Sequence, residues 1–489
     1  MKKITKSLFL GLFGFVLASC GTSINQKGST NQENMNINPK SKVGYVGDPM
    51  PFYDNGEMNI FYLQDGRNTT LGFHPFALMT TKDYVSYNDH GVVIPYEDEL
   101  DSPDFALGTG SVIKDKTGKY HCFYTGHNSR KNTGLPYFEK IQHATSDDKI
   151  HWQKHKDKGF YGGENDFRDP YVYLADDGIY HMLITTRNLG GGVIKDYISS
   201  DLWTWTYNEI FFKNDSGTYN MECPTFIKYN DYYYLSYSEQ GNNRVTHYRY
   251  KKNLSDPWIK PTVDYLDGEG FYAGRMEKDN DKLMMVGWCA TREGEYDTGK
   301  LDWGGNLVVH ELKQKENGLL DAKMVSSVKD KLSNEVSYKL KNGDDLSKMS
   351  FDKTSAKAYT VESLSKKITR ISFDIKINDL DGSIGLSFNT LSNHTLSNEV
   401  FMLNFKTGYA LYYANATGFN QLGKIDVCVP CDFKLGIMHV DIVIDNQIIT
   451  AYINNEKALT TRFYDMKENT FSFFMNKADA EFSSIKFFE

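Results

Sequence analysis

A tight polar turn recurs five times along the first two thirds of this chain, each time followed by a run of apolar and aromatic residues. The turns are Asn55-Gly56, Thr117-Gly118, Asp177-Gly178, Asn230-Asp231 and Asn280-Asp281. Short turns rich in Asn, Asp and Gly between such runs are typical of β-hairpins. A β-rich unit repeated at intervals of roughly 50 residues is typical of a propeller blade. The repeat therefore predicts a five-bladed β-propeller over residues 43–315.

Three acidic residues stand at nearly the same distance before their turns. Asp48, Asp169 and Glu222 each precede a turn by eight or nine residues, and each is followed by a proline within two residues. Equal offsets in equivalent blades place side chains at equal heights around one axis, so we expect the three carboxylates to meet in the central cavity. The matching positions of the other two repeats, near Gly110 and Ala273, are small and would leave room for a ligand.

The rest of the chain predicts a second β domain. Residues 316–350 are polar and mixed, which indicates a connector with one short helix. Eight short strand-like runs separated by polar turns follow within residues 351–489, and this pattern predicts a β-sandwich. The fold class is therefore all-β, with a five-bladed β-propeller followed by a C-terminal β-sandwich.

The N-terminus has the features of a bacterial lipoprotein signal. Residues 1–20 begin with lysines, continue with an apolar stretch too short to span a bilayer, and end in Leu-Ala-Ser-Cys. This ending resembles a lipobox, where the signal is cut before the Cys (here Cys20) and the Cys then carries lipid such as palmitate. Residues 21–42 are rich in Ser, Asn, Gln, Gly and Lys and predict a flexible tether. We expect an extracytoplasmic protein anchored by lipid to the cell membrane; an ordinary secretory signal is the alternative.

Charge and cysteine content narrow the classes of partner. The net charge of −8 argues against a nucleic-acid partner, and we expect a monomer. Cys428-Val-Pro-Cys431 could form a disulfide or half of a metal site, and the sequence leaves the disulfide open. No second CxxC or His pair accompanies it, so we predict neither a metal nor a cofactor.

Two carboxyl groups placed across the scissile bond are the chemical requirement for hydrolysis of a glycoside. One donates a proton to the leaving oxygen, the other attacks the sugar or activates water, and a third can bind sugar hydroxyls. Arg168 lies beside Asp169 and should keep that carboxylate ionised. The aromatic residues Tyr272, Trp288 and Trp303 of the last repeat are candidates for sugar stacking. We therefore expect an oligo- or polysaccharide substrate.

Several motifs carry a family resemblance. Phe167-Arg168-Asp169-Pro170 and Glu222-Cys223-Pro224 resemble the two inner motifs of glycoside hydrolase family 32, which contains invertases, levanases and inulinases. Trp303-Gly304-Gly305 resembles that family's last blade, and the resemblance extends over roughly residues 45–489. It implies a propeller and a sandwich, with Asp48 as nucleophile, Glu222 as acid/base and Asp169 as the stabiliser of the transition state.

The first motif departs from the family's pattern. Where the family reads Trp-Met-Asn-Asp-Pro-Asn-Gly, this chain has Tyr45-Val46-Gly47-Asp48-Pro49-Met50-Pro51. The family's Phe-Tyr-Gln is here Phe61-Tyr62-Leu63, with Gln64 one place later. These positions line the sugar pocket in the family, so the resemblance makes Gln64 and Arg168 candidate substrate contacts.

The resulting hypothesis is a surface lipoprotein that hydrolyses β-fructosidic bonds in sucrose or fructans by a retaining double displacement. One alternative is a propeller hydrolase or phosphorylase acting on another sugar such as arabinan or xylan, as in the related family 43, whose members invert. A fructosyltransferase and a non-catalytic carbohydrate-binding lipoprotein also stay open. The intact set of acids counts against the last, because a pure binder needs no proton donor.

Overall fold

The computed structural model describes residues 35–489 except 68–73, 131–132, 165, 189, 240, 242–243, 365–367, 390–395, 397, 465 and 467–469. The chain divides into two compact units, Met1–Met35 and Asn36–Glu489, and only Met35 of the first is described. The predicted signal peptide (residues 1–20), Cys20 and the tether as far as residue 34 therefore lie outside the described residues. No helix within the described ranges is long and apolar enough to cross a membrane.

Among the described residues of the propeller, nineteen strands build five antiparallel blades. Blade 1 has β1 (Tyr45–Asp54), β2 (Glu57–Asp65), β3 (Phe76–Thr81) and β4 (Asn88–Ile94). Blade 2 has β5 (Ala106–Lys114), β6 (Tyr120–His127), β7 (Glu139–Ser146) and β8 (Trp152–Lys154). Blade 3 has β9 (Arg168–Leu174), β10 (Tyr180–Asn188), β11 (Gly191–Ser199) and β12 (Thr206–Lys213). Blade 4 has β13 (Met221–Tyr229), β14 (Tyr232–Glu239) and β15 (Thr246–Lys251), and blade 5 has β16 (Phe271–Asp279), β17 (Lys282–Arg292), β18 (Leu301–Gln314) and β19 (Leu320–Lys323).

The first strand of every blade lies next to the axis. β1 contacts β5 and β16, β9 contacts β5 and β13, and β13 contacts β16, so these five strands form a closed ring. β1 also pairs with β18 through Val46 and Gly305, which joins the first blade to the last. The predicted five-bladed propeller is confirmed.

The turns that predicted the hairpins have the backbone conformation that their residues favour. Asn55, Asn230 and Asn280 have φ of 54°, 48° and 55°, and Gly118 and Gly178 also have positive φ. Asn and Gly adopt this left-handed region more readily than other residues do. The first two strands of each blade are thus specified locally, which explains why the repeat could be read from the sequence.

The last blade is longer than predicted. Residues 315–319 form a tight turn, with Lys315 N–H donating to Leu319 O over 2.8 Å, and β19 then returns along β18. The propeller therefore ends at Lys323 rather than at residue 315, because the start of the predicted 316–350 connector completes a hairpin. The remainder of that connector contains one short helix, α1 (Ser326–Lys331), and a 3-10 turn at Leu346–Lys348.

Two six-stranded sheets form the C-terminal sandwich. One has the order β20-β31-β22-β27-β28-β29 and the other β21-β30-β23-β24-β25-β26. The strands are β20 (Glu335–Val336), β21 (Ala356–Val361), β22 (Ile368–Ile377), β23 (Ser383–Phe388), β24 (Asn398–Asn404), β25 (Tyr409–Ala416), β26 (Lys424–Pro430), β27 (Gly436–Asp445), β28 (Ile448–Ile453), β29 (Lys457–Arg462), β30 (Phe471–Asn476) and β31 (Ala480–Phe488). Buried Ile, Val, Leu and Phe side chains of both sheets make one continuous core. Cys428 and Cys431 belong to β26 and the residue after it, and both are free thiols.

The two domains meet at a polar interface. Arg292 of β17 donates to the Asp426 carboxylate over 2.7 Å, and Arg462 of β29 donates to the carbonyl of Ala290 over 3.0 Å. Both partners of the first pair are almost fully buried. A buried ion pair of this kind becomes costly when one partner is removed, because the other charge loses its compensation.

Residues 36–42, which the sequence assigned to the flexible tether, belong to the fold. The Asn38 amide N–H donates to Asp445 of the sandwich over 2.8 Å, and Pro39 O accepts from Leu307 N–H of blade 5 over 2.8 Å. Ile37, Asn38 and Ser41 are buried. The side chains of Asn38 and Ser41 pair with the propeller, and the backbone N–H of Asn38 pairs with the sandwich. These polar side chains made the segment look like a linker.

Candidate active site

Every innermost strand breaks its register at the same point. The partner positions shift between Gly47 and Met50 on β1, Gly108 and Gly110 on β5, Glu222 and Thr225 on β13, and Tyr272 and Arg275 on β16. On β9 the same shift lies between Arg168 and Tyr171. Such β-bulges bend a strand and re-aim its side chains, and they are frequent beside active sites.

Asp48 and Asp169 are the first residues of their bulges, and Glu222 is not. Asp48 has φ of 38° and Asp169 of 60°, and the residues with the same left-handed conformation on β13 and β16 are Cys223 and Ala273. Glu222 lies one residue earlier. The expectation that all three acids share one position was wrong for Glu222. Asp48 and Cys223 both lie seven residues before the Asn of their turn (55−48 and 230−223), and Glu222 lies eight before it. Asp169 also lies eight residues before Asp177 because the turn of blade 3 comes one residue later, so the offset alone did not separate the two positions.

The three carboxylates nevertheless come together. Asp48, Asp169 and Glu222 all line a cavity of about 280 Å³ on the propeller axis. The other residues that line it are Leu63, His74, Ala106, Leu107, Gly108, Thr109, Thr125, His127, Glu139, Arg168 and Trp303. Most of these belong to blades 1 and 2, so the free space lies on that side of the axis.

Each carboxylate has its own hydrogen-bond donors. Trp288 Nε1 donates to Asp48 Oδ1 over 3.1 Å, and Cys223 N–H donates to Asp169 Oδ2 over 2.9 Å. Glu222 accepts from Tyr272 Oη through Oε2 and from Arg168 Nη2 through Oε1, both over 2.9 Å. The three acids thus keep fixed orientations before any sugar enters.

Burial and mutual repulsion change the acidity of two of them. Burial, then the charges of Asp169 and Glu222, raise the pKa of Asp48 to about 7, while the Trp288 hydrogen bond and Arg275 oppose the rise. Burial likewise raises the pKa of Asp169 to about 6, and Arg168 opposes it. Arg168 therefore favours the ionised form of Asp169 as expected, although it does not outweigh the desolvation.

Arg168 has more partners than the sequence suggested. Besides Glu222, its guanidinium donates to Asp166 over 2.7 Å and to Glu139 over 3.3 Å. Arg275 supplies a second buried cation, and its Nη1 donates to Gly110 O of blade 2 over 2.9 Å. Arg168 thus forms ion pairs with three carboxylates, and the charge of Arg275 favours the ionised forms of Asp48 and Asp169.

The remaining substrate contacts predicted from the sequence divide into two groups. Trp303 lines the cavity, whereas Gln64, Tyr272 and Trp288 are absent from the described residues that line it. Tyr272 and Trp288 are buried, and they donate hydrogen bonds to the carboxylates of Glu222 and Asp48. Gln64 donates to Ser41 Oγ over 2.7 Å. Neighbouring residues of a strand face opposite sides, so Leu63 takes the place at the cavity that the sequence assigned to Gln64.

Sequence reasoning missed most of the wall of the cavity. His74, Leu107, Thr125, His127 and Glu139 lie on strand ends and loops of blades 1 and 2. Burial lowers the pKa of His74 to about 4, so its imidazole is neutral at physiological pH. One sequence indication was the Gly108-Thr109-Gly110 run inside a strand, since glycine in a strand marks a bulge or a close approach.

Comparison with known proteins agrees with the two-domain architecture described above. Residues 39–321 match the model of the glycosyl hydrolases family 32 N-terminal domain, and residues 314–489 match that of the C-terminal domain. The chain is 24% identical over 449 residues to a sucrose-6-phosphate hydrolase of Vibrio alginolyticus, which covers 86% of this chain and 84% of the relative.

Solved structures share the architecture. A Bombyx mori GH32 beta-fructofuranosidase superimposes with a TM-score of 0.70 at 17% identity, covering 94% of this chain and 95% of the other. A fructan 1-exohydrolase IIa from Cichorium intybus gives a TM-score of 0.71 at 14% identity, covering 94% and 98%. At these identities the likeness shows the fold, a propeller followed by a sandwich.

Proposed function

This chain belongs to glycosyl hydrolases family 32 and is a glycosidase of that family, and from this premise we propose that it hydrolyses β-fructosidic bonds with retention of configuration. Asp48 is the nucleophile, Glu222 the general acid and base, and Asp169 the carboxylate that binds sugar hydroxyls. The observation that carries the proposal is the meeting of these three carboxylates in one cavity of about 280 Å³.

The donors behind the acids support a retaining pair. Tyr272 and Trp288 are direct partners across β16 and β17, with ring centroids 5.7 Å apart. Tyr272 donates a hydrogen bond to Glu222, and Trp288 donates one to Asp48. Donors placed side by side favour carboxyls close together, as in retaining enzymes with about 5 Å between the groups, over the roughly 6.5–9.5 Å of inverting ones.

The steps follow from these positions. Glu222 donates its proton to the leaving oxygen while Asp48 attacks the anomeric carbon, which breaks the glycosidic bond and forms a fructosyl ester on Asp48. Glu222 then takes a proton from a water, which attacks the same carbon and releases Asp48 as a carboxylate. Each cycle consumes one water and returns both acids to their initial state.

The charge of the cavity supports a neutral sugar over a phosphorylated one. Asp48, Asp169, Glu222 and Glu139 line it, and apart from two histidines Arg168 is the one basic side chain among the described residues that do so. Arg168 is already bonded to three carboxylates. A dianionic phosphate would meet like charges there. We therefore propose sucrose or the end of a fructan as substrate, although the Vibrio relative is named a sucrose-6-phosphate hydrolase.

Product analysis tests the proposal. The protein without residues 1–34 would be incubated with sucrose, sucrose-6-phosphate, inulin, levan and arabinan, and the products resolved by chromatography. We expect fructose from sucrose or a fructan. Release from sucrose-6-phosphate alone would refute the neutral substrate, release of arabinose alone would favour the alternative sugar, and binding without turnover of any substrate would leave a carbohydrate-capture protein.

We also propose that the enzyme is lipid-anchored through Cys20 and faces the outside of the cell. The support is the lysine-rich start, the short apolar stretch and the Leu-Ala-Ser-Cys ending. About 15 residues between Cys20 and Asn36 would then separate the lipid from the propeller.

A further inference from the structure

Five equivalent backbone positions lie just before the bulges of the innermost strands. They are Gly47, Gly108, Arg168, Glu222 and Tyr272, each paired with a residue of the second strand of its blade. The last three carry polar side chains that bond to one another through Glu222. The position beside Asp48 carries no side chain of its own.

An indole from another blade occupies the space beside Gly47. A Cβ added to Gly47 would lie 2.2 Å from Cη2 and 2.4 Å from Cζ2 of Trp303. Ordinary contacts begin near 3.4 Å, so the indole would have to move by about 1 Å. Gly47 is not in the left-handed region, so its backbone conformation does not require glycine. Glycine is required at position 47 because the indole of Trp303 approaches so closely.

Trp303 is held in this position from several sides. His74 stacks on its ring with centroids 4.3 Å apart, and Trp288 packs edge-on at 6.0 Å. The backbone carbonyl of Trp303 accepts from Arg67 Nη2 over 3.0 Å, and its backbone N–H donates to Asp302 Oδ1 over 2.8 Å. Trp303 and His74 both line the cavity. The indole is therefore a preorganised wall next to the nucleophile.

We propose that Gly47 and Trp303 together form a specificity-determining element: Gly47 leaves room for the indole beside the nucleophile, and the aromatic face of Trp303 then recognises the sugar by stacking. This rests on the proposed function of the site. Aromatic faces select sugars by the shape of an apolar ring face, whereas polar side chains select individual hydroxyls. The element therefore biases the enzyme between furanosides that differ in their ring substituents.

A double-mutant cycle tests the element. The variants are Gly47→Ala, Trp303→Ala and the double variant. Gly108→Ala, made in the wild type and in Trp303→Ala, is the matched control for Gly47→Ala. Gly108 holds the same position in blade 2, but its added Cβ would meet Thr125 at 3.0 Å and not Trp303. We expect Gly47→Ala to lower kcat/KM about tenfold or more in the wild-type background and less than about threefold when Trp303 is alanine. Gly108→Ala should cost the same in both backgrounds.

Two readouts separate this inference from the proposed function. Tm needs no substrate, and Gly47→Ala should lower it only when Trp303 is present; equal losses in both backgrounds would overturn the steric coupling. The second readout is the ratio of kcat/KM for a β-fructoside to that for an aryl α-arabinofuranoside. We expect Trp303→Ala to change this ratio about tenfold. An unchanged ratio would overturn the role in specificity even if the Tm values couple, and a wild type inactive on both sugars would count against the proposed function alone.

Discussion

Replacing Trp288 by phenylalanine should move the acid limb of the pH–rate profile to higher pH. Asp48 must be ionised to attack the sugar, and its pKa is raised to about 7. The hydrogen bond from Trp288 Nε1 is one of two interactions that oppose the rise, with Arg275 the other. Trp288→Phe removes that donor and keeps an aromatic ring in the buried position, so less of Asp48 will be ionised at a given pH.

The size of the shift follows from the geometry. A hydrogen bond of 3.1 Å to a buried carboxylate contributes about 1.5–3 kcal/mol to the charged form. One pKa unit corresponds to about 1.4 kcal/mol. The acid limb should therefore rise by about 1–2 pH units, from near pH 7 in the wild type. The limb reports the coupled titration of Asp48 with Asp169, because their charges interact.

The assay is kcat/KM for sucrose hydrolysis between pH 4 and 10, since this parameter reports ionisations of the free enzyme. Trp303→Phe is the control, because Trp303 lines the cavity without donating to Asp48. A limb that stays near pH 7 in Trp288→Phe, or that moves equally in both variants, would refute the claim that this hydrogen bond tunes the nucleophile.

Other predictions address the acid, the anchor, the fold and the sandwich. Glu222→Ala should lower kcat by about 10²–10⁴ while substrate still binds, and azide should restore turnover as fructosyl azide; a loss below tenfold would contradict the assignment. Cys20→Ala should release the protein from membranes, and retention after a high-salt wash would contradict lipid anchoring. Burial lowers the pKa of His143 to about 3, below its unfolded value near 6.5. The neutral buried imidazole therefore contributes its full stability above pH 6.5, and about 2 kcal/mol of the free energy of unfolding is lost by pH 5. The loss should be seen as a Tm decrease that His143→Phe reduces. Deleting residues 351–489 should lower Tm and solubility by uncovering the polar interface with Arg292, and an isolated sandwich that cleaves fructan would refute its structural role.

The architecture could be predicted because its signals are local. Hairpin turns such as Asn55-Gly56 are specified by adjacent residues, and the eight predicted sandwich runs correspond to strands. Strands such as Lys424–Pro430 and Lys457–Arg462 were missed, because charged residues and the Cys-Val-Pro-Cys run obscure their alternation. The cavity wall depends on how blades pack. His74 reaches the site by stacking on Trp303 of another blade, and no spacing within the sequence encodes that contact.

The one-residue difference between Glu222 and the other two acids has a chemical consequence. Asp48 and Asp169 occupy the bulge itself, where their donors are an indole N–H and a backbone N–H. Glu222 occupies the regular position before the bulge, which in the neighbouring blades carries Arg168 and Tyr272, and these two are its donors. The two carboxyl groups that carry out the two halves of the reaction therefore lie in different surroundings. The bulge, repeated in every blade, thus provides two kinds of position around one axis, and the chain places a carboxylate in each.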